Sequence, residues 1–262
     1  MHATSVSHRF AAICVSQLFA ALALGSIAGG CSRAAAGAAR AAAGDAQAAA
    51  PAKPAADRSP LELLMEGNAR FVAGRTVHPN QSAERRTEEA KTQHPFAVIV
   101  SCSDSRVSPE IVFDQGIGDL FVVRTAGNRL DDLVLASVEY AVDHLHVPLV
   151  VVLGHERCGA VSAAIEAENA AGGEHGHDAS GSHIPQLVKA LHDAVVDAKS
   201  TSGDPIENTV LANIRIVARD LPVQSPMLGE RVKAWTLKVL GMRYDLDTGA
   251  ITPVDAPPAA PH

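Results

Sequence analysis

Three short apolar runs constrain this chain most. They are Phe96–Ser101 (FAVIVS), Leu120–Arg124 (LFVVR) and Pro148–Leu153 (PLVVVL). Each is short, rich in valine and without polar alternation, which predicts a strand buried on both faces. A fourth run, Leu237–Met242, leads into Tyr244-Asp245 and a turn at Asp247-Thr248-Gly249. Helical patterns separate the runs. One opens at Ser59-Pro60 and sets Leu61, Leu64, Met65, Asn68 and Phe71 on one face. Another covers 131–145, where Asp131-Asp132 suits a helix N-terminus. Further helices are predicted over 159–170, 184–199, 205–220 and 227–234. Strands alternating with helices predict an α/β fold, a central, mainly parallel β-sheet flanked by helices. Ligands in such sheets sit beyond the carboxyl ends of the strands. The residues just after each run are therefore where chemistry is expected.

The 262-residue chain does not carry this pattern from its start. Residues 10–28 form one apolar stretch behind His2, His8 and Arg9, the pattern of a secretory signal. Its end, Ala28-Gly29-Gly30-Cys31, resembles a bacterial lipobox, with Ala28 where the motif carries leucine. That resemblance implies acylation of Cys31 and attachment to a membrane, and Ser32 implies the outer membrane. Cleavage without a lipid and retention as a membrane anchor are the alternatives; Ser16, Gln17 and the glycine-rich exit weigh against the anchor. Residues 32–58 are mostly alanine, interrupted by Gly37, Gly44, Pro51 and Pro54, and offer no face to bury. They are read as a disordered tether. The expected organisation is signal 1–31, linker 32–58 and one domain 59–262, exported and either periplasmic or membrane-anchored. The hydrophobic share of 47% owes much to the first two segments. No further long apolar run follows, which excludes a multi-span membrane protein. Net charge is −7, and the domain alone is near −10, because residues 1–58 hold five basic and two acidic residues. No basic face for nucleic acid is expected.

Four cysteines are too few for a disulfide scaffold. Cys14 lies in the signal and Cys31 at its end, which leaves Cys102 and Cys158. Cys102 ends the first run in Ser101-Cys102-Ser103-Asp104-Ser105-Arg106. Cys158 follows the third in Gly154-His155-Glu156-Arg157-Cys158-Gly159. Two thiolates and an imidazole are a natural zinc set, and three protein ligands leave a fourth position open to water. Asp104, kept ionised by Arg106, is placed to orient such a water or to join the ligands. Taken singly, Cys102 reads as a core cysteine and His155 as a turn histidine. In an exported protein the two cysteines could also form a disulfide, which competes with zinc for the same sulfurs. Zinc is preferred because a disulfide gives no role to His155 or to Asp104 and Arg106.

Cys-x-Asp-x-Arg followed by His-x-x-Cys resembles the β-class carbonic anhydrases. The resemblance covers about residues 60–255 and includes Asp114–Asn128, Ser137–Val142 and Gly241–Gly249. It implies one Zn2+ per chain held by Cys102, His155 and Cys158, with Asp104 and Arg106 catalytic. It implies reversible hydration of CO2 to bicarbonate. Gln93 is implied as the substrate-orienting amide, Phe121, Ala126 and Tyr140 as the narrow apolar pocket, and Gly159 as a backbone N–H close to the metal. It also implies a homodimer or higher even oligomer, with part of the pocket supplied by the neighbour. Some members carry a tryptophan three residues before the first cysteine as part of an inhibitory bicarbonate site. Ile99 stands there, so that site is not expected. Thr125 replaces the asparagine that many members carry.

Other readings remain beside this one. Carbonyl sulfide and carbon disulfide hydrolases share the fold. A non-catalytic exported zinc-binding protein would draw on His175, His177 and His183 in the segment 172–183, which otherwise reads as a solvated loop. Gly116 and Gly118 precede a strand and so do not form a dinucleotide fingerprint.

Overall fold

A computed structural model describes residues 57–171 and 181–254. The signal and lipobox-like end, the linker up to residue 56, His175 and His177 lie outside the described residues. Among those described, no helix is long and apolar enough to cross a membrane.

Five strands form one sheet in the order β2-β1-β3-β4-β5. They are β1 (Ala97–Cys102), β2 (Leu120–Thr125), β3 (Leu149–His155), β4 (Lys238–Tyr244) and β5 (Ile251–Val254). The first four are parallel, and β5 runs antiparallel to β4. The four expected strands are all present, and β3 and β4 each run two residues further than their apolar runs. Every residue of β1 and β3 is buried. One face of the sheet, including Val98, Val100, Val150 and Val152, packs on α4 (Asp132–Asp143), α5 (Gly159–Ala171) and α8 (Pro205–Gln224). The other face, including Ala97, Ile99 and Val151, meets Leu64 of α1 (Pro60–Val72) and Val112 of α3 (Pro109–Val112). This is why these strands carry no polar alternation.

The helix expected over 184–199 is broken. It forms α6 (Ile184–Ala190) and α7 (His192–Ala198), with Leu191 between them. The break turns Leu191 into the core, where its methyls lie over Gly127. α2 (Ala83–Glu89), α3 and β5 were not expected. α9 (Pro226–Lys233) follows α8, and two residues beyond its end Trp235 holds φ +60° and is 94% exposed.

The crossover from β1 places β2 on one side of it, and the crossover from β2 passes back over β1 to place β3 on the other. The strand order therefore reverses between β1 and β3, and the carboxyl ends of these two strands are where such sheets form their ligand crevice. Gly154 in β3 lets α8 approach closely, since an added Cβ would lie 2.5 Å from Ile214 Cγ1.

Away from the crevice, Asp114 ties α1 to the chain that follows α3. Its buried carboxylate accepts from Arg70 Nε at 2.6 Å and from the amides of Val77 and His78 at 3.1 and 2.9 Å. Burial pushes its pKa up, but Arg70 and the two amides outweigh it and hold the group below its ordinary value of 3.8. A depressed carboxylate stabilises the fold above its unfolded pKa and loses that contribution as pH falls through the folded one. Asp114→Asn is expected to cost about 2 kcal/mol in urea unfolding at pH 7. The gap to the natural protein should narrow below about pH 4. A gap that stays constant down to pH 2.5 would contradict this assignment.

Candidate metal centre

β1 and β3 deliver two of the three ligand candidates to one point. Cys102 is the last residue of β1 and His155 the last of β3, and these strands are neighbours in the sheet. Cys158 sits three residues on, where the chain turns into α5. Arg157 takes a left-handed φ of +50° in that turn. Sγ of Cys102, a ring nitrogen of His155 and Sγ of Cys158 all lie within 4.8 Å of one another, and all three residues are buried.

The imidazole is oriented for a metal. His155 Nδ1 lies 2.9 Å from the Glu156 carbonyl oxygen. A carbonyl only accepts, so Nδ1 carries the proton and Nε2 keeps its lone pair. Nε2 is buried and has no hydrogen-bond partner. Such an orphaned acceptor is rare in a folded core and asks for a ligand.

The sulfurs make the same demand. A hydrogen bond from the Cys158 thiol holds the Cys102 thiol far below its usual value, against burial. The Cys102 sulfur and burial then push Cys158 far above it, although the amides of Val161 and Ala160 pull the other way. The pair alone thus resists carrying two negative charges. A divalent cation between them lets both ionise, and the sulfur and imidazole donors suit zinc. The residues present fit that ion. Both cysteines are free, so the disulfide reading finds no support.

Asp104 stands beside the group formed by Cys102, His155 and Cys158. Its side chain is paired with Arg106, Nε to Oδ1 at 2.9 Å and Nη2 to Oδ2 at 2.7 Å. The Arg106 backbone N–H adds a bond to Oδ1 at 2.9 Å. These bonds, led by the Arg106 side chain, hold the carboxyl well below the usual carboxylate range despite some burial. Oδ2 lies 3.7 Å from the free His155 Nε2, so an ionised acceptor faces the metal position.

Two groups escaped notice in the sequence. Arg124, at the end of β2, donates to the carbonyls of Cys102 and Asp104 at 3.0 and 2.6 Å and shapes the loop between them. A charge ending an otherwise apolar run was the available signal. Gly127 donates its N–H to Cys102 Sγ at 3.3 Å from the 3-10 turn Ala126–Asn128. Its φ of +66° suits glycine. Ala126, expected to line the pocket, begins this same turn. Gly159 opens α5 beside Cys158, and a Cβ added there would meet nothing within 4 Å.

The remaining expected residues lie elsewhere in this chain. Gln93 precedes the start of β1, the end opposite Cys102. β1 is about 17 Å long at 3.3 Å per residue. Phe121 lies opposite Val98, while Cys102 lies opposite Thr125, so Phe121 is about 13 Å below the metal level. Tyr140 stays with Phe121, at 6.3 Å between ring centroids. One chain thus holds the metal group at one end of the sheet and these three residues towards the other.

His155→Ala is expected to leave the fold intact by circular dichroism and to retain less than about a tenth of the zinc per chain by metal analysis. Full zinc in that variant would remove His155 from the ligand set.

The relatives agree with this geometry. The family model described as carbonic anhydrase matches residues 97–251. The chain is 42% identical over 186 residues to carbonic anhydrase 2 of Mycobacterium tuberculosis, covering 71% of this chain and 87% of that protein. It is 39% identical over 188 residues to the carbonic anhydrase of Mycolicibacterium smegmatis, covering 72% and 88%. The solved β-carbonic anhydrase CafA of Aspergillus fumigatus matches with a TM-score of 0.56 and 28% identity, over 75% of this chain and 90% of that one. A match that runs from β1 to the start of β5 and takes in Cys102, His155 and Cys158 makes this chain a member of the β-class carbonic anhydrases.

Proposed function

We propose that this protein is a carbonic anhydrase, which reversibly hydrates CO2 to bicarbonate and a proton, with one zinc held by Cys102, His155 and Cys158. The observation that carries the reading is the Asp104–Arg106 pair facing His155 Nε2, because storing a metal needs no oriented carboxylate beside the ligands. Zinc bound there supplies a Lewis acid that lowers the pKa of a coordinated water. Asp104, held ionised by Arg106, accepts a hydrogen bond and donates none. It therefore fixes which proton of a water in the site points at the protein. The open space above Gly159 leaves room for a small uncharged molecule. The 42% identical relative named carbonic anhydrase favours CO2 over carbonyl sulfide or carbon disulfide.

A second copy of the chain is inferred to complete the pocket. β2 is one of the two edge strands of the sheet, and α4 beside it exposes Leu133 (78%) and Tyr140 (45%). Pairing of two copies across this edge would set Gln93, Phe121 and Tyr140 of one against the metal group of the other. Export and acylation at Cys31 are proposed on the apolar run 10–28 and the Ala28–Cys31 segment. A Cys31→Ser variant that still incorporates labelled fatty acid would remove that part.

Stopped-flow CO2 hydration with metal analysis on the same sample tests the activity. Asp104→Asn is expected to keep one zinc per chain and lose about a hundredfold or more in turnover. One zinc per chain with no hydration by the natural protein would overturn the reading. Leu133→Glu is expected to give monomers by light scattering that keep zinc and lose hydration. Monomers with full activity would show that one chain suffices.

A further inference from the structure

Behind the ligands runs a buried polar chain that neither metal binding nor the Asp104–Arg106 pair accounts for. The Gly127 N–H reaches Cys102 Sγ at 3.3 Å. The Gly127 carbonyl accepts from Asn213 Nδ2 at 2.8 Å, and Asn213 Oδ1 accepts from Arg129 Nη1 at 3.0 Å. Asn213 is buried on the core face of α8 with Val210, Ile214 and Val217.

The two peptide planes that meet at Gly127 are joined by the most permissive residue in the chain's repertoire. Left to itself, glycine does not hold the first plane's N–H on a sulfur. Asn213 pins the second plane, and the Leu191 and Ala160 methyls close over the Cα. Arg129 in turn fixes which end of the amide faces Gly127, because a guanidinium donates only and so selects the oxygen. Thr125 Oγ1 donates to the Arg129 carbonyl at 2.9 Å and closes the loop around this chain.

We propose that Asn213 is a positioning residue for the metal centre. By holding the Gly127 carbonyl it keeps the Gly127 N–H on Cys102 Sγ and sets how strongly that thiolate donates to the metal. A hydrogen bond to a thiolate draws electron density from sulfur, and groups behind the ligands tune both affinity and ligand basicity. The proposal rests on the zinc reading of Cys102.

The test compares zinc-loaded and cobalt-substituted full chain, whose thiolate-to-metal absorption band reports on the sulfur directly. Asn213→Ala removes both bonds. Asn213→Asp removes the donor to Gly127 and keeps a partner for Arg129. Arg129→Met leaves Asn213 in place and frees its amide. Thr209→Val, which alters a buried α8 hydroxyl bonded only to the Pro205 carbonyl, is the control for general loosening of the helix. The cobalt band is expected at longer wavelength in both Asn213 variants. Zinc transfer to a chelator should be about tenfold faster in them. Arg129→Met should move both readouts the same way by less, and decides the matter if neither Asn213 variant folds. Thr209→Val should move neither. A lowered melting temperature with an unmoved band and unchanged zinc release would make Asn213 a packing residue and overturn the proposal. A natural chain that takes up no cobalt and no zinc would overturn the zinc reading itself.

Discussion

The structure turns on two sulfurs and one imidazole nitrogen buried within 4.8 Å of one another. Without a cation this cluster is a liability. Burial and the first sulfur oppose a second thiolate beside it, and one ring nitrogen has no hydrogen-bond partner. A dication removes both costs together. The sheet exists in the form needed to bring that about. Cys102 and His155 come from adjacent parallel strands that end side by side, and both strands are held by dense apolar packing on two faces. Small errors in strand register would separate the ligands, so a rigid core and a metal centre are here the same requirement.

The charged groups around the cluster divide the work. Arg106 grips the Asp104 carboxylate, while Arg124 grips the backbone carbonyls that flank it. One guanidinium sets protonation and aim, the other sets the loop. On the far side, Arg243 joins Glu156, Glu207 and Asp245, and Glu156 also accepts from the Leu246 amide. That network fastens the residue whose carbonyl fixes the His155 tautomer to the end of β4. The tautomer is therefore secured by the fold as well as by a single hydrogen bond.

Much of this was legible in the sequence, for physical reasons. Strands buried on two faces write themselves as unbroken valine-rich runs, and the ligands follow two of those runs directly. α2 was not legible, because its residues AERRTEE bury nothing and so carry no apolar period. β5 is four residues long and contains Pro253. The break at Leu191 is hidden because the apolar spacing continues through it, and the contact of Leu191 with Gly127 has no signal in the spacing. Asn213 reads as one polar position in a helix until its carbonyl partner is known. Gln93, Phe121 and Tyr140 show a different limit. Spacing along the chain does not show that they lie towards the opposite end of the sheet from Cys102, which only the pairing of β1 with β2 reveals.

Trp235 has a practical meaning for anyone who studies this protein in solution. It is the sole tryptophan in the sequence, it sits at a left-handed position after α9, and its indole is almost wholly in water. An indole so exposed is expected to emit in the native state much as it does in the denatured chain. Intrinsic fluorescence is thus nearly blind to loss of the core in this fold. What it watches instead is one spot on the surface, where any molecule that covers residue 235 announces itself by colour.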